Sequence, residues 1–310
     1  MPFVIEDFHV EESIPGFVFL MRTFGLSQGE AQRVIDRERL LIDGHPMTDK
    51  SARIEGEVQV VHFQPQPQGN APIFVTPYFL VFDKPSGILV HPNRTQSPYT
   101  LLDEIRAHSG QHANAVHRID QETSGLVLAS RHKKAETFLK GSFERKTIRK
   151  SYLAWVDGKI SDNFSVDAPI RINPDYSQTK HKVFVDFERG KEAKTLFEVI
   201  EYDPEHDASL LRCRPLTGRT HQIRIHLFHV KHSILGDPIY GTTFDVTTEY
   251  LEERLSPEER LYHTGASRLM LHAQTLEFTY GNPFYIESRF DFEGIKGELA
   301  ENRPMRVYDK

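Results

Sequence analysis

A chain of 310 residues is long enough to form two domains with substantial cores. With 38% hydrophobic and 26% charged residues, its composition fits an ordinary soluble protein. The formal net charge of −6 argues against a nucleic-acid partner, unless the positive charge is concentrated on one face. The single cysteine, Cys213, excludes an intramolecular disulfide and a multi-cysteine zinc site.

Signals for a membrane or for export are not evident in the sequence. Apolar runs such as residues 17–21 and 78–82 are far shorter than the ~20 residues that a membrane span requires. The first residues, Met-Pro-Phe-Val-Ile-Glu-Asp, lack the basic region of a secretory signal. We therefore expect a cytoplasmic protein with no membrane partner.

The first 63 residues predict a small unit of mixed structure. Residues 1–15 predict an arm or short strand. Apolar residues at Ala31, Val34 and Ile35 have helical spacing, and Ser27 with Glu30 three positions later resembles a capping box. Residues 40–47 predict a hairpin with an Asp-Gly turn, and residues 58–63 predict a closing strand.

Residues 64–72 have the composition of a linker. Alternating Pro and Gln cannot pack a core, and they favour an extended, semi-rigid spacer. We therefore predict two domains, residues 1–68 and residues 69–310.

The second domain alternates irregularly between strand and helix patterns, without an internal repeat. This order predicts an α+β fold with a large mixed, mainly antiparallel sheet rather than a doubly wound fold. Helices are predicted at 101–108 and from Ala135 to Phe143. Strands are predicted at residues 79–82, 88–90, 126–129, 148–156, 196–200, 210–214 and 268–276.

Asp120 is the first candidate for a reactive group. It lies in the stretch His-Arg-Ile-Asp-Gln-Glu-Thr-Ser-Gly-Leu at residues 117–126, on a loop that leads into an apolar strand. An aspartate before a turn most often only bonds the local backbone, so this stretch alone is weak evidence.

Several separate segments of the second domain match one family in the same order. Residues 117–126 resemble the signature of the RluA-type pseudouridine synthases, with Ile119 where leucine is usual. The other matching segments are Lys-Pro-Ser-Gly at 84–87, Val-His-Pro at 90–92, Lys-Ser-Tyr-Leu-Ala at 150–154, residues 217–227, Gly236-Asp237 with Tyr240-Gly241, and residues 268–273. The resemblance covers residues 79–278.

The resemblance implies a pseudouridine synthase fold and the isomerisation of uridine in RNA. Asp120 would be the catalytic carboxylate, Arg224 its ion-pair partner and Tyr152 a ring against the uracil face. Arg118 would fill the space that an extruded base leaves. Six further residues would shape the site: Lys84, His117, Thr123, Gly125, His221 and Gln222. Because the reaction has no redox or phosphoryl step, we expect no cofactor and no metal.

The small first unit resembles the S4-type RNA-binding module, although Glu38-Arg39 stands where that module usually has a glycine. Its arginines could equally be solvated side chains of a structural domain. The module favours ribosomal RNA over transfer RNA as the partner, and we expect a monomer.

Basic residues concentrate between Arg131 and Lys150, which predicts a phosphate-contacting surface. A solvated helix face is the alternative. The RNA-binding candidates besides Arg118 are Arg33, Arg37, Lys133, Lys134, Arg145, Lys146, Arg149, Lys150 and Arg219.

Two rival functions remain at this stage. One is a catalytically inactive RNA-binding protein of the same fold. The other is a metal-dependent hydrolase that would use His226, His229 and His232. Three histidines spaced three residues apart point in successively different directions around a helix. Zinc ligands usually converge on one face, so this spacing disfavours the hydrolase.

Overall fold

The computed structural model of the protein describes residues 3–93, 98–175, 177 and 180–308. Within these ranges the chain forms a four-stranded sheet, a ten-stranded sheet and a separate two-stranded ribbon. No described helix combines the length and the apolar character that crossing a membrane would take.

The N-terminal unit packs two short helices on an antiparallel sheet. Its elements are β1 (Phe3–Pro15), α1 (Gly16–Phe24), α2 (Gln28–Asp36), β2 (Leu40–Ile42), β3 (His45–Pro46) and β4 (Arg53–Phe63). The strand order is β1-β4-β2-β3. Leu20, Ala31 and Ile35 from the helices bury against Leu40 and Val58 of the sheet.

Local sequence signals of this unit are confirmed. Ser27 begins α2 with a capping box, in which the Glu30 carboxylate accepts from the Ser27 backbone N–H at 3.0 Å. Asp43 and Gly44 both have positive φ and join β2 to β3, as a two-residue hairpin requires. Glu38 also has a left-handed φ of 58°, at the position where the S4-type module usually has a glycine.

Residues 64–73 connect the two units without regular secondary structure. They are more than a spacer, because the backbone N–H of Gln66 donates to Asp103 Oδ1 at 3.0 Å and that of Gln68 donates to Glu104 Oε1 at 2.6 Å. The linker is therefore docked on the helix that carries these carboxylates.

The second unit holds the remaining elements. Its helices are α3 (Leu101–Ser109), α4 (Lys133–Glu144), α5 (Gln222–His229), α6 (Phe244–Leu251) and α7 (Pro257–Thr264), with a 3₁₀ turn at Ile295–Glu298. Its first strands are β5 (Phe74–Val75), β6 (Phe79–Lys84), β7 (Asn114–Ala115), β8 (Ser124–Ser130), β9 (Arg149–Asp157) and β10 (Phe164–Asp167). The later strands are β11 (Ile170–Ile172), β12 (Val183–Val185), β13 (Lys194–Asp203), β14 (Ala208–Pro215), β15 (Leu271–Tyr280) and β16 (Asn282–Glu287).

The large sheet confirms the predicted mixed, mainly antiparallel α+β architecture. Its order is β10-β13-β14-β9-β15-β8-β6-β5, with β16 on β15 and β7 on β8. Only the pairing of β15 with β8 is parallel among the pairs of named strands in the described chain. Central strands such as β8 are buried along their whole length, which explains their continuous apolar sequences.

One predicted strand is wrong, and another begins later than expected. Residues 88–90 form only an isolated bridge, Leu89 to Thr100, because their carbonyls accept from other groups: that of Ile88 from Lys84 Nζ, and the next two from the first backbone N–H groups of α3. The strand predicted from residue 268 begins at Leu271.

Gly125 lies where the parallel strands β8 and β15 come together. Its φ is +106°, and a Cβ here would collide with the backbone carbonyl of Ala273. Only glycine fits both the conformation and the space, so the signature places the strand that follows Asp120 tightly on β15.

We expect Gly125→Ala to lower the free energy of unfolding by about 2–4 kcal/mol, through backbone strain and overpacking. Urea unfolding followed by circular dichroism measures this. The control is Gly297→Ala, whose added Cβ would meet open space. Equal stabilities of the two variants would contradict the proposed close approach.

Candidate active site

A cavity of about 100 Å³ brings together side chains from four distant segments. Asp120 comes from the loop before β8, Tyr152 from β9, and His221 and Arg224 from the start of α5. The other candidates on its wall are Arg118, Thr123, Lys150, Arg219 and Gln222. The predicted catalytic trio therefore shares one cavity, although up to 104 residues separate its members in the sequence.

Arg224 is the centre of the charge network. Its Nη1 lies 3.4 Å from Asp120 Oδ2, while its Nε and Nη2 donate to the two oxygens of Asp237 at 2.8 and 2.9 Å. The Arg224 and Asp237 side chains are 3% and 1% exposed, and Asp120 is 30% exposed. The tighter partner of Arg224 is thus Asp237, and Asp120 takes the remaining edge of the guanidinium.

Arg224 and Asp237 each stabilise the charged form of the other. Burial alone would lower the pKa of Arg224, but the Asp237 carboxylate outweighs it and raises that pKa above its usual range. Burial opposes ionisation of Asp237, yet Arg224 and the backbone N–H groups of Ile239 and Tyr240 hold its pKa below the usual value. Both groups stay charged at neutral pH.

Tyr152 presents its ring to the cavity from a central strand and is 8% exposed. Burial raises the pKa of the phenol, and the negative charge of Asp120 raises it further. Tyr152 is therefore an uncharged phenol beside a carboxylate at neutral pH.

His221 begins α5 in the left-handed conformation, with φ of 51°. Its Nε2 lies 3.7 Å from Asp120 Oδ2, and its Nδ1 is hydrogen-bonded to the Tyr240 hydroxyl at 2.9 Å. Burial, together with nearby Arg224, lowers the pKa of His221 to about 4. At neutral pH its contact with Asp120 is therefore that of a neutral ring.

Lys84 and His117 lie behind the cavity and support the Asp120 loop. Lys84 Nζ donates to three backbone carbonyls, of Pro85, Ile88 and Gln121, at 2.9 to 3.0 Å. Burial lowers its pKa to about 7. His117 Nε2 accepts from a backbone N–H of β8 at 3.0 Å, and burial lowers its pKa to about 3.

Gln222 organises the turn before α5. Its Oε1 accepts from Thr217 Oγ1 at 2.7 Å and from the backbone N–H of Arg219 at 3.0 Å. The Thr123 N–H donates to the Asp120 carbonyl at 3.2 Å and closes the turn of the Asp120 loop. Both Gln222 and Thr123 line the cavity.

Sequence reasoning missed a second anchor of the Asp120 loop. Glu122 accepts from Arg260 Nη2 at 2.7 Å and from the Tyr250 hydroxyl at 2.9 Å, and the same Arg260 nitrogen donates to the Gly236 carbonyl at 3.1 Å. Helices α6 and α7 thereby tie together the loops that carry Asp120 and Asp237. Asp237 stood in a recognised segment without an assigned role, and nothing local in the sequence points to Arg260.

A larger groove of about 980 Å³ adjoins the cavity and shares Arg118, Lys150 and Arg219 with it. Lys146 and Arg149 also line it, together with Arg212 and Arg214, which sequence reasoning missed. The remaining basic candidates lie elsewhere. Lys133 and Lys134 are on α4 and Arg145 follows its end, while Arg33 is on α2 and Arg37 follows the end of that helix.

Two of the three histidines considered for a metal site contact different partners. His226 of α5 is held between Thr195 Oγ1 at 2.9 Å and the Ala168 carbonyl at 3.0 Å, and His232, beyond the end of α5, contacts the Asp157 carbonyl at 2.8 Å. Across the described ranges, the cluster of three potential ligands that meets metal-site spacing is Asp203, Glu205 and His206 instead. His206 Nδ1 there contacts Asp203 Oδ2 at 2.8 Å.

Comparison with known proteins identifies the family of the chain that forms this cavity. Residues 78–229 match the family model described as RNA pseudouridylate synthase. A protein from Helicobacter pylori described as an uncharacterized RNA pseudouridine synthase is 38% identical over 285 residues, covering 92% of this chain and 93% of the relative. The chain belongs to the RNA pseudouridine synthase family.

This pseudouridine synthase has relatives whose names indicate different RNA substrates. Ribosomal large subunit pseudouridine synthase D of Nitrosomonas europaea is 35% identical, covering 67% of this chain and 57% of the relative. The dual-specificity RNA pseudouridine synthase RluA of Escherichia coli is 36% identical, covering 69% of this chain and 90% of the relative. Human RNA pseudouridylate synthase domain containing 1 shares the fold, with a TM-score of 0.58 at 22% identity over 79% of this chain and 94% of that chain.

For the buried pair of this synthase, we expect Asp237→Asn to lower the free energy of unfolding by about 3–5 kcal/mol at pH 7, because it leaves Arg224 buried and unpaired. The folded pKa of Asp237 is depressed, so the stabilisation is complete above the unfolded pKa of about 4 and is lost as pH falls through the folded value. The difference in free energy of unfolding between wild type and variant, measured by urea unfolding, should therefore decrease below about pH 4.

The control for this measurement is Asp36→Asn. It breaks the exposed 2.7 Å pair with Lys50 and should cost at most about 1 kcal/mol. A loss from Asp237→Asn no larger than that from the control would contradict the anchoring role of Asp237.

Proposed function

We propose that this pseudouridine synthase acts on ribosomal RNA and uses Asp120 as its catalytic carboxylate. The observation that supports the proposal is the meeting of Asp120, Arg224 and Tyr152 in one small cavity beside a basic groove. Asp120 is the partly exposed member of a charge network whose other members are buried. Its carboxylate is therefore available to a substrate in the cavity.

The reaction breaks the bond from uracil N1 to ribose C1′ and makes a bond from C5 to C1′, with loss of the C5 proton and gain of a proton at N1. Electrons are neither gained nor lost overall, so the chemistry calls for no nicotinamide, metal or nucleotide. It calls for an ionised carboxylate at the sugar and the base, shielded from water. Asp120, held by one edge of Arg224, meets that need.

Tyr152 gives the uracil a flat surface beside Asp120. A neutral phenol in a rigid strand can stack on the base without adding a second negative charge to the site. Its burial on β9 fixes the plane of the ring, so the base is presented to the carboxylate in one orientation.

The groove supplies the binding surface for the RNA backbone. Lys146, Arg149, Arg212 and Arg214 line it next to the residues shared with the cavity, and such cations contact phosphates without reading sequence. The protein can thus hold RNA despite its net charge of −6.

We assign the substrate to ribosomal RNA because the N-terminal unit resembles the S4-type module. The name of the Nitrosomonas europaea relative agrees with this assignment, and the dual-specificity relative keeps transfer RNA as the alternative. We further propose that the enzyme is a cytoplasmic monomer that works without a cofactor or metal.

We expect Asp120→Asn to abolish tritium release from RNA labelled at uridine C5 while RNA affinity stays within about twofold of wild type, because only the charge is removed. Unmodified ribosomal and transfer RNA are assayed separately, and the active pool identifies the substrate class. The control is Asp162→Asn, an exposed carboxylate far from the cavity lining.

Residual release by Asp120→Asn at a rate near that of wild type would refute the catalytic assignment. Release from transfer RNA alone would replace the ribosomal assignment with its alternative.

Arg118 is exposed at the mouth of the cavity, where it can enter the space that an extruded base leaves. We expect Arg118→Ala to slow single-turnover conversion about tenfold or more in folded RNA, where stacking must be broken, and less in an unstructured oligomer. Rapid-quench kinetics on both RNAs measure this difference. Equal slowing on the two RNAs would contradict a role in base extrusion.

A further inference from the structure

A second basic cavity lies between the N-terminal unit and α3, and it shares no lining residue with the Asp120 cavity. It has a volume of about 240 Å³ and is lined by Arg33, Arg37 and Arg39 of the N-terminal unit and by Arg106 of α3. We propose that this junction cleft binds a segment of the RNA substrate, with phosphates on the arginines and a base on the apolar floor. The inference rests on the proposed function for the identity of the RNA.

The junction cleft carries an excess of positive charge, with four arginines on its wall. Its one acidic wall residue, Glu30, already accepts from the Ser27 N–H and hydroxyl at 3.0 and 2.7 Å in the capping box of α2. In the parts of the chain that the structure describes, no carboxylate lies within 4.0 Å of any of the four guanidinium groups. A phosphate would supply the missing counter-charge.

Two of the arginines are held in place by aromatic rings rather than by solvent. Arg39 Cζ lies 4.2 Å from the centroid of the Phe3 ring, and Arg106 Cζ lies 4.7 Å from that of Phe63. The two rings contact edge to face at 5.5 Å. This cross-unit stack fixes the guanidinium planes before any ligand binds, which lowers the entropy cost of binding.

The surroundings favour an anion over water. Burial lowers the pKa of Arg106, and burial together with the nearby charge of Arg37 lowers that of Arg39. The Nε of Arg106 is buried and makes no hydrogen bond to any described residue. A buried guanidinium nitrogen without a partner is costly, and a bound phosphate oxygen would relieve that cost at Arg106.

The floor of the junction cleft suits a nucleobase. Leu20, Phe24, Leu26 and Val34 line it, and the Phe24 ring lies 5.1 Å from the ring of His62. An apolar surface that includes an aromatic ring, next to basic side chains, suits single-stranded RNA without strict sequence preference. A base can rest on the floor while its flanking phosphates reach the arginines.

The spacing across the junction is fixed by hydrogen bonds. Gln111 Nε2 donates to the Phe24 carbonyl at 2.7 Å, and the linker donates to Asp103 and Glu104 as described above. Arg106 therefore keeps its position relative to Arg33, Arg37 and Arg39. An RNA strand bound here would hold the substrate in one register relative to Asp120.

The test compares two double variants in fluorescence anisotropy with transcribed, unmodified ribosomal RNA. Arg37→Ala/Arg106→Ala removes a charge from each side of the junction cleft, and the control Arg22→Ala/Arg189→Ala removes two exposed charges outside it. We expect the cleft variant to bind about tenfold or more weakly than the control at 0.1 M salt, with a salt slope smaller by about 1 to 2.

Equal affinity and salt dependence of the two variants would overturn the proposal. Thermal unfolding verifies that both are folded. Substitution of the exposed Arg37, as Arg37→Glu, repeats the test without altering the half-buried Arg106, and it should weaken binding relative to Arg22→Glu. If wild type converts no uridine but the cleft variant still loses affinity, the cleft stands and the proposed function falls. If wild type is active and the cleft variant binds RNA as tightly as the control, the proposed function stands and the cleft proposal falls.

Discussion

The buried pair of Arg224 and Asp237 is the interaction on which the geometry of the active site depends. Two charges withdrawn from water are tolerated only because their contact is bidentate and because backbone N–H groups satisfy the carboxylate. Asp237 fixes the guanidinium so firmly that only Nη1 remains for Asp120. The direction in which Asp120 faces is thus set by a residue that does not contact the cavity.

Further contacts of buried or half-buried side chains hold the loops around this pair. Lys84 joins its own turn, at the Pro85 and Ile88 carbonyls, to the Asp120 loop, at the Gln121 carbonyl. Arg260 binds the same loop through Glu122 and also contacts the Gly236 carbonyl. Gly236 has a positive φ, and any side chain there would collide with the backbone of Arg268. Both carboxylate loops are therefore fixed against one another, which is the rigidity that a positioned carboxylate requires.

The sequence predicts much of this because many of its signals are local. Alternation, capping and an Asp-Gly turn each depend on a few neighbouring residues, and α2, the β2–β3 hairpin and most central strands follow from them. The resemblance brought Asp120, Tyr152 and Arg224 together, and the structure places all three on one cavity. Residues 88–90 failed as a strand because the buried Lys84 contacts the Ile88 carbonyl, and Arg260 was missed because its partner lies 138 residues away.

The linker shows how tertiary contacts change the meaning of a composition. Alternating Pro and Gln predicts an extended spacer, and the segment has no regular secondary structure. Yet proline removes N–H groups only at its own positions, and the intervening Gln66 and Gln68 donate theirs to carboxylates at the start of α3. The spacer is thereby hydrogen-bonded to α3, and the arginines of the N-terminal unit line one cavity with Arg106 of α3. A module docked in this way can set the register of a bound strand relative to Asp120 as well as add affinity.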